Sequence, residues 1–360
     1  MIPPSVIARS GGGWERVEGD VANWRRGKGL RSTLWPGLTS VLVLTACQGE
    51  LPPAAAPPTQ IPVTVRPAGT EPAGGPGRWA VRAAAPSTRA EVAGAVVYGL
   101  AYIAGGLLDN GVSRALEVYD PVVDRWQAMA PLPAPRHHPA MAEAGGKLYL
   151  IGGFDESGSA VATVWEYDLL TDRWRERAPM PTARGALAAA AIAGKIYAVG
   201  GIADRDLNAA EEYDPAADRW RRLAPMPTPR DHLAAVAVAG KLCVIGGRLG
   251  SFSQNLGVNE EYDPASNVWR DRALMPTPRS GLAAAVVDGI VYVSGGEGDA
   301  GTFPQNEAYD PTKNAWEPKA PMRTPRHGIA AVTLAGRVYV IAGGPTPGGS
   351  YSNLNEVFIP

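Results

Sequence analysis

All four histidines of this 360-residue chain follow an arginine by one or two positions: His137 and His138 after Arg136, His232 after Arg230, and His327 after Arg326. Asp231 stands between Arg230 and His232, while Arg248 and Glu297 each directly follow a Gly-Gly pair. Imidazole, carboxylate and guanidinium gathered in one place could hold an anionic or hydroxyl-rich ligand, the arginine as a planar fork and the histidines as pH-sensitive donors and acceptors. A narrower reading takes His137, Asp231 and His327 as ligands of a metal ion with open positions. The wider set of His137, His138, Asp231, His232, Arg248, Glu297 and His327 is the candidate ligand-binding site. The chain contains no Ser-His-Asp elbow, phosphate loop or HExxH motif, so no catalytic residue is assigned.

Those arginines belong to a longer pattern. Trp79, Trp126, Trp174, Trp220, Trp269 and Trp316 are each followed ten residues later by an arginine: Arg89, Arg136, Arg184, Arg230, Arg279 and Arg326. Ten further on stands a glycine (Gly99, Gly146, Gly194, Gly240, Gly289, Gly336), and six beyond that a small pair, from Gly105-Gly106 to Ala342-Gly343. Recurrence at a fixed period of about 47 residues is the signature of a repeat architecture. Within a unit, two short apolar runs flank the lone glycine, which supplies the positive φ of a tight hairpin turn. A third run ends in Tyr-Asp, and an Asp-Pro turn leads to the tryptophan seven residues after its tyrosine, as in Tyr213-Asp214-Pro215 and Trp220. Each unit therefore reads as four antiparallel strands.

One such sheet cannot bury both faces, whereas sheets stacked radially cover each other and leave few open edges. A diglycine, a Tyr-Asp and a tryptophan at this spacing resemble the kelch repeat, and residues 79–360 resemble a kelch β-propeller throughout. The resemblance implies an all-β fold of six four-stranded antiparallel blades. Trp79 is a fourth strand without its first three, and the last unit, ending at Asn355-Glu356-Val357-Phe358, has three strands without a fourth, so the two termini complete one blade. Ala93, Ala140, Ala188, Ala234, Ala283 and Ala330, four residues after each arginine, suit the crowded region nearest the axis.

The strand order assigns the polar residues to one end of the ring. The first strand runs away from the arginine and the second returns to the small pair, so the residues after both meet at one mouth. After the arginines stand Ala90-Glu91, His137-His138, Gly185-Ala186, Asp231-His232, Ser280-Gly281 and His327-Gly328; after the small pairs stand Leu107, Phe154, Ile202, Arg248, Glu297 and Gly344. Strand parity leaves open which of these side chains converge on the axis. The six arginines are too regular for a site and are expected to bond loop carbonyls between blades. The recurrent Glu117, Glu211, Glu260, Glu307 and Glu356 read as a blade feature, with Trp165 in the corresponding slot of the second unit. Cys243 fills a slot held by tyrosine elsewhere and reads as an inert core thiol.

Residues 1–78 differ in kind. Arg25, Arg26, Lys28 and Arg31 precede the apolar run Leu34 to Leu44 and then Leu44-Thr45-Ala46-Cys47, the order of a secretory signal. This ending resembles the lipobox of bacterial lipoproteins, which implies lipidation of Cys47, a signal over residues 1–47 and an exported protein anchored in the bacterial cell envelope, at the outer membrane or the outer face of the cytoplasmic membrane. Residues 48–78, rich in proline and alanine, read as an extended tether before the propeller of 79–360.

Lys and Arg (34) nearly cancel Asp and Glu (35), so no basic field exists to hold nucleic acid. Two cysteines cannot make a disulfide framework or a four-thiolate zinc site. The expectation is a monomeric binding module for a protein or glycan, touching membrane only through its lipid, with no cofactor beyond a metal ion at the mouth. The alternative is an exported carbohydrate-acting enzyme, epimerase- or mutarotase-like, working at the same mouth.

Overall fold

The computed structural model describes residues 6–10, 13–17 and 76–360. The chain divides into two units, Met1–Gln60 and Ile61–Pro360. In the first, Val6–Ser10 pairs antiparallel with Gly13–Val17. Cys47, the lipobox-like segment ending at it and the expected tether up to residue 75 lie outside the described residues.

The second unit holds six four-stranded antiparallel sheets, arranged as the blades of a propeller. Blade 1 runs from Ala93–Val97 to Arg125–Ala128, blade 2 from Ala140–Ala144 to Arg173–Arg177, and blade 3 from Ala188–Ile192 to Arg219–Arg222. Blade 4 runs from Ala234–Val238 to Val268–Asp271, blade 5 from Ala283–Val287 to Ala315–Pro318, and blade 6 begins at Ala330–Leu334. The last chain strand, Asn355–Ile359, pairs with Arg78–Val81, so blade 6 takes its outer strand from the start of the ring, as the strand count predicts. Trp79 lies opposite Phe358, their rings 5.3 Å apart, and its indole N–H donates to the Ala320 carbonyl.

The first hairpin of each blade turns at a pair such as Ala193-Gly194, with φ of 49° and 76°, the left-handed values a two-residue turn requires. On the first strand the alanine four residues after each arginine is at most 9% exposed, which lets neighbouring sheets approach at the axis. The second strand is buried on both faces and reads as a continuous apolar run, for example Leu242-Cys243-Val244-Ile245. Tyrosine and tryptophan tie each blade to the one before it. The Tyr213 hydroxyl donates to Asp218 Oδ1, which also accepts the Ala178 N–H, while the Trp220 indole donates to the Ala178 carbonyl.

The arginine side chains correct one expectation: they bond inside their own blade. Arg184 donates to Glu211 at 2.5 Å and to the carbonyls of Thr182 and Ala198, and the Thr182 hydroxyl donates to the other oxygen of Glu211. Blades 1, 4, 5 and 6 likewise pair Arg89, Arg230, Arg279 and Arg326 with Glu117, Glu260, Glu307 and Glu356. It is the arginine backbone that links blades, since the Gly153 N–H of blade 2 donates to the Arg184 carbonyl. A Cβ on Gly152 would come within 2.6 Å of that same carbonyl, which is why the diglycine stands there. Blade 2 departs at both positions together. Ala134 replaces the hydroxyl residue, Trp165 replaces the glutamate, and the Arg136 guanidinium lies over the Trp165 ring at 4.6 Å. Trp165 is therefore a buried packing residue.

Candidate functional site

The two series expected at one mouth do meet there. The residue after each arginine forms an isolated antiparallel bridge with the residue after that blade's glycine pair: His137 with Phe154, Asp231 with Arg248, Ser280 with Glu297, His327 with Gly344, and likewise in blades 1 and 3. The next residue turns inward. Glu91, His138, Ala186 and His232 have φ of 55°, 52°, 50° and 49°, and Gly281 and Gly328 have 65° and 60°. This left-handed backbone aims each N–H at the carbonyl of the equivalent residue in the preceding blade. The bonds run from His138 to Glu91, Ala186 to His138, His232 to Ala186, Gly281 to His232, Gly328 to Gly281, and Glu91 back to Gly328, all between 2.7 and 3.0 Å. A left-handed non-glycine residue costs roughly 1–2 kcal/mol; the closed ring of hydrogen bonds fixes it in place.

Inside that collar lies an axial cavity of about 90 Å³ lined by the second and third residues after each arginine. The third residues, Val92, Pro139, Leu187, Leu233, Leu282 and Ile329, are shared with a deeper cavity of about 140 Å³ among the first-strand alanines. Both fall well below the roughly 300 Å³ of an ordinary small-molecule pocket. The collar therefore admits water or an ion, and anything larger rests on the rim.

Three polar groups point into this arrangement from the second position: Glu91, His138 and His232. His138 Nε2 lies 3.3 Å from Glu91 Oε2, and its Nδ1 is 2.6 Å from His137 Nδ1. His232 Nδ1 contacts Asp231, while Arg248 donates to its Nε2 at 3.1 Å. Arg248 also reaches Asp231 Oδ1 at 3.2 Å and Glu297 Oε1 at 3.0 Å, and lies 4.6 Å over the Phe252 ring. His327 is 1% exposed; its Nε2 faces the Thr346 carbonyl at 3.0 Å and its Nδ1 sits 3.2 Å from both Glu91 Oε1 and Glu297 Oε2.

Burial chiefly holds His138 and His232 down to about 4, so both rings are neutral near pH 7, and the Arg248 charge adds to the effect on His232. His137 is likewise held at about 4 by burial and then by its neighbour His138. Burial pulls His327 the same way, but the Glu91 and Glu297 carboxylates prevail and raise it. Glu91, although burial opposes its charge, is held well below the usual carboxylate range by the surrounding histidines. Asp206, on the blade 3 loop, is pushed up to about 7 by burial and by its hydrogen bond to Asp231.

The structure brings Asp231, His232, Arg248, Glu297 and His327 into one arc across blades 4 to 6, with His138 of blade 2 next to His232, past Ala186, at a ring separation of 4.9 Å. His137 stands apart, stacked on Phe154 at 5.3 Å. The trio His137, Asp231 and His327 is not one ligand set: as residues of the first position they lie in the bridges, and each side chain engages its own neighbour. The donor sets that do converge among the described residues are Glu91 with His138 and His232, and Glu91 with Glu297 and His327. Both contain Glu91, absent from the sequence-derived site. Its signal was its register, two residues after Arg89 as His138 and His232 are after their own arginines. Asp206 carried no such signal because it stands in an aperiodic loop.

Comparison with known proteins follows from this geometry. The KLHDC2/KLHL20/DRC7 Kelch-repeats domain matches residues 92–272 and, in a second register, residues 187–359. Kelch-like protein 24 of Rattus norvegicus is 33% identical over 86 residues, 24% of this chain and 14% of that protein. An F-box/kelch-repeat protein of Arabidopsis thaliana is 38% identical over 77 residues, 21% of this chain and 19% of the relative. The matched segments thus span less than a fifth of those relatives' length. Among solved structures, that of YjhT aligns with a TM-score of 0.68 at 18% identity, over 77% of this chain and 96% of the other, which is a likeness of fold.

Proposed function

Because this chain belongs to the kelch-repeat family, we propose that its six-bladed propeller is a binding module, working as a monomer, whose mouth engages a protein or glycan and which a lipid on Cys47 holds at the cell envelope. Kelch propellers generally serve protein interaction, and the finer reading rests on one observation. The charged and imidazole side chains that depart from the repeat, Glu91, His138, Asp231, His232, Arg248, Glu297 and His327, gather at a single end of the ring. Periodic residues are accounted for by the blades; these are not.

Two experiments test the reading. The full chain and a His138→Ala/Glu91→Gln variant are screened on a printed glycan array and by crosslinking on intact envelopes, with circular dichroism as the folding control. The variant is expected to lose at least about tenfold in affinity for whatever the wild type captures, the scale of one charge-assisted contact. Equal binding by both moves the site away from the mouth. Separately, Cys47→Ser should shift the protein from the membrane pellet to the soluble fraction; equal partition rejects the lipid anchor.

A catalytic reading draws on one further observation, the neutral imidazole of His138 beside the Glu91 carboxylate, a pairing suited to proton transfer. An epimerase- or mutarotase-like activity on reducing sugars would appear as accelerated anomeric exchange by NMR, abolished in Glu91→Gln.

A further inference from the structure

His327 poses a proton problem. Its ring is 99% buried by the complement of its 1% exposure, and Nε2 faces the Thr346 carbonyl, which only accepts, so that nitrogen carries the hydrogen. In a neutral ring Nδ1 is then a bare lone pair, and it lies 3.2 Å from a Glu91 oxygen and 3.2 Å from a Glu297 oxygen without a hydrogen bond to either. Two carboxylate oxygens and one imidazole nitrogen face one another in a buried space, so positive charge belongs between them: a proton on Nδ1, which the carboxylates favour, or a cation in its place.

We propose that Glu91, Glu297 and His327 bind a divalent first-row cation of the zinc type through Glu91 Oε1, Glu297 Oε2 and His327 Nδ1. One donor atom from each residue lies within 4.8 Å of the other two. With metal–ligand bonds of about 2.1 Å, adjacent donors of a tetrahedral or octahedral shell are about 3.0 to 3.4 Å apart; the two 3.2 Å separations are edges of such a shell. Imidazole beside two carboxylates suits zinc or manganese, whereas calcium and magnesium favour oxygen alone. The outer groups are already placed: Thr346 fixes the His327 tautomer, and Arg248 and the Gly348 N–H hold Glu297.

The fold makes room for this set. Gly281 and Gly328 occupy the collar positions of blades 5 and 6; a Cβ on Gly328 would meet Glu91 Oε1 at 2.5 Å, and one on Gly281 would meet the His327 Cβ at 3.2 Å. The other convergent set, Glu91 with His138 and His232, has no free nitrogen on His232, because Asp231 and Arg248 already take both. The site also differs from the one expected from sequence, since only His327 is common to both.

The test uses the full chain, stripped with chelator, equilibrated with Zn²⁺ alone, desalted and assayed by plasma mass spectrometry, with affinity from calorimetry. The wild type should retain a single zinc. Glu91→Gln, Glu297→Gln and His327→Ala should each weaken binding by at least about tenfold to a hundredfold, the range that even an outer-shell partner commands. Glu156→Gln, an exposed carboxylate on the blade 2 loop, should bind as the wild type does. Circular dichroism and a thermal melt exclude misfolded variants, and the glutamine substitutions preserve side-chain shape. Failure of the folded wild type to retain zinc overturns the proposal and assigns the positive charge to an imidazolium. So does loss in His232→Ala with full binding in Glu297→Gln, or equal affinity for Ca²⁺. None of these outcomes depends on finding a protein or glycan partner.

Discussion

Inside five of the six blades a buried arginine meets one glutamate, and a serine or threonine hydroxyl completes that glutamate's bonding. At the mouth the proportions differ. Arg248 is shared among Asp231, Glu297 and His232, while Glu91 faces only imidazoles. The blade motif is closed: each buried charge has a partner of opposite sign, and adding a ligand gains nothing. The mouth carries more carboxylate than guanidinium: Glu91, Asp231 and Glu297 share one Arg248 and the histidines, and Glu91, His138 and His232 also line a small cavity. Repeated charge holds this molecule together, and unrepeated charge marks the site proposed for binding.

Breaking the ring itself should have the largest effect. Deleting Arg78–Val81 removes the outer strand of blade 6 together with the Trp79 ring against Phe358, and exposes the edge of Asn355–Ile359. Loss of a packed tryptophan and its strand pairings is expected to cost at least about 5 kcal/mol. Denaturant unfolding should show a lower midpoint and a broader transition; an unchanged, sharp transition would mean that the ring does not depend on this closure.

Arg184→Ala comes next, because it strands the buried Glu211 carboxylate in blade 3. Removing one partner of a buried pair costs about 3 to 5 kcal/mol. Blade 2 provides the internal control, since Arg136 lies over the neutral Trp165 ring and bonds Thr163 rather than a glutamate. Arg136→Ala leaves no buried charge behind, so its loss of stability should be clearly smaller. Equal losses in the two variants would erase the distinction between a closed ion pair and simple packing.

Most of this fold was legible because its determinants recur. Trp-to-Arg, Arg-to-Gly and Gly-to-diglycine offsets defined strands, hairpins, blade number and closure without any long-range reasoning. The mouth was legible only in outline. Sequence placed the polar residues at one end, but strand parity stops at the last strand residue, and the direction of the side chains is decided by the left-handed turn at Glu91, His138, Ala186 and His232. That turn puts the second residue on the axis and leaves the first in a bridge, so Glu91, His138 and His232 line the cavity, while His137 stacks on Phe154 and does not join Asp231 and His327. The arginines were misread in one respect for a similar reason: periodicity identifies a structural residue without saying which blade its side chain serves.

Arg248→Ala probes the boundary between the two regions and should rank third. Considered as a loop residue, Arg248 is expected to be removable at little cost to folding. The structure reverses that expectation, because its side chain is 13% exposed and bridges Asp231 and Glu297, both buried, from two blades. Its loss should destabilise by about 1.5 to 3 kcal/mol, the range for hydrogen bonds to charged groups. Arg248→Lys keeps the charge but not the fork and should recover only part of this. A variant as stable as the wild type would show that the mouth is not cross-tied through this residue.

The smallest effect belongs to Cys243, which tests the claim that the repeated interior is chemically silent. It occupies the tyrosine slot of blade 4, opposite Val236, with no solvent exposure. Burial, and next the Glu261 charge, push its thiol up to about 12 from an ordinary 9. The thiolate is the reactive form. In a Cys47→Ser background at pH 8, Cys243 should therefore resist a disulfide reagent in the native state and react promptly in denaturant. The sign of the accompanying pH dependence follows from linkage. The unfolded thiol releases its proton near pH 9 while the folded thiol keeps it to about 12, so stability is undiminished below pH 9 and falls as pH rises beyond it. One unit above the unfolded value the loss is about 1.4 kcal/mol, and Cys243→Ala should remove that component of the alkaline slope. Rapid native-state labelling would mean that blade 4 opens or that its interior is wet, and the contrast between a closed interior and a polar mouth would then fail at the blade that supplies Asp231, His232 and Arg248.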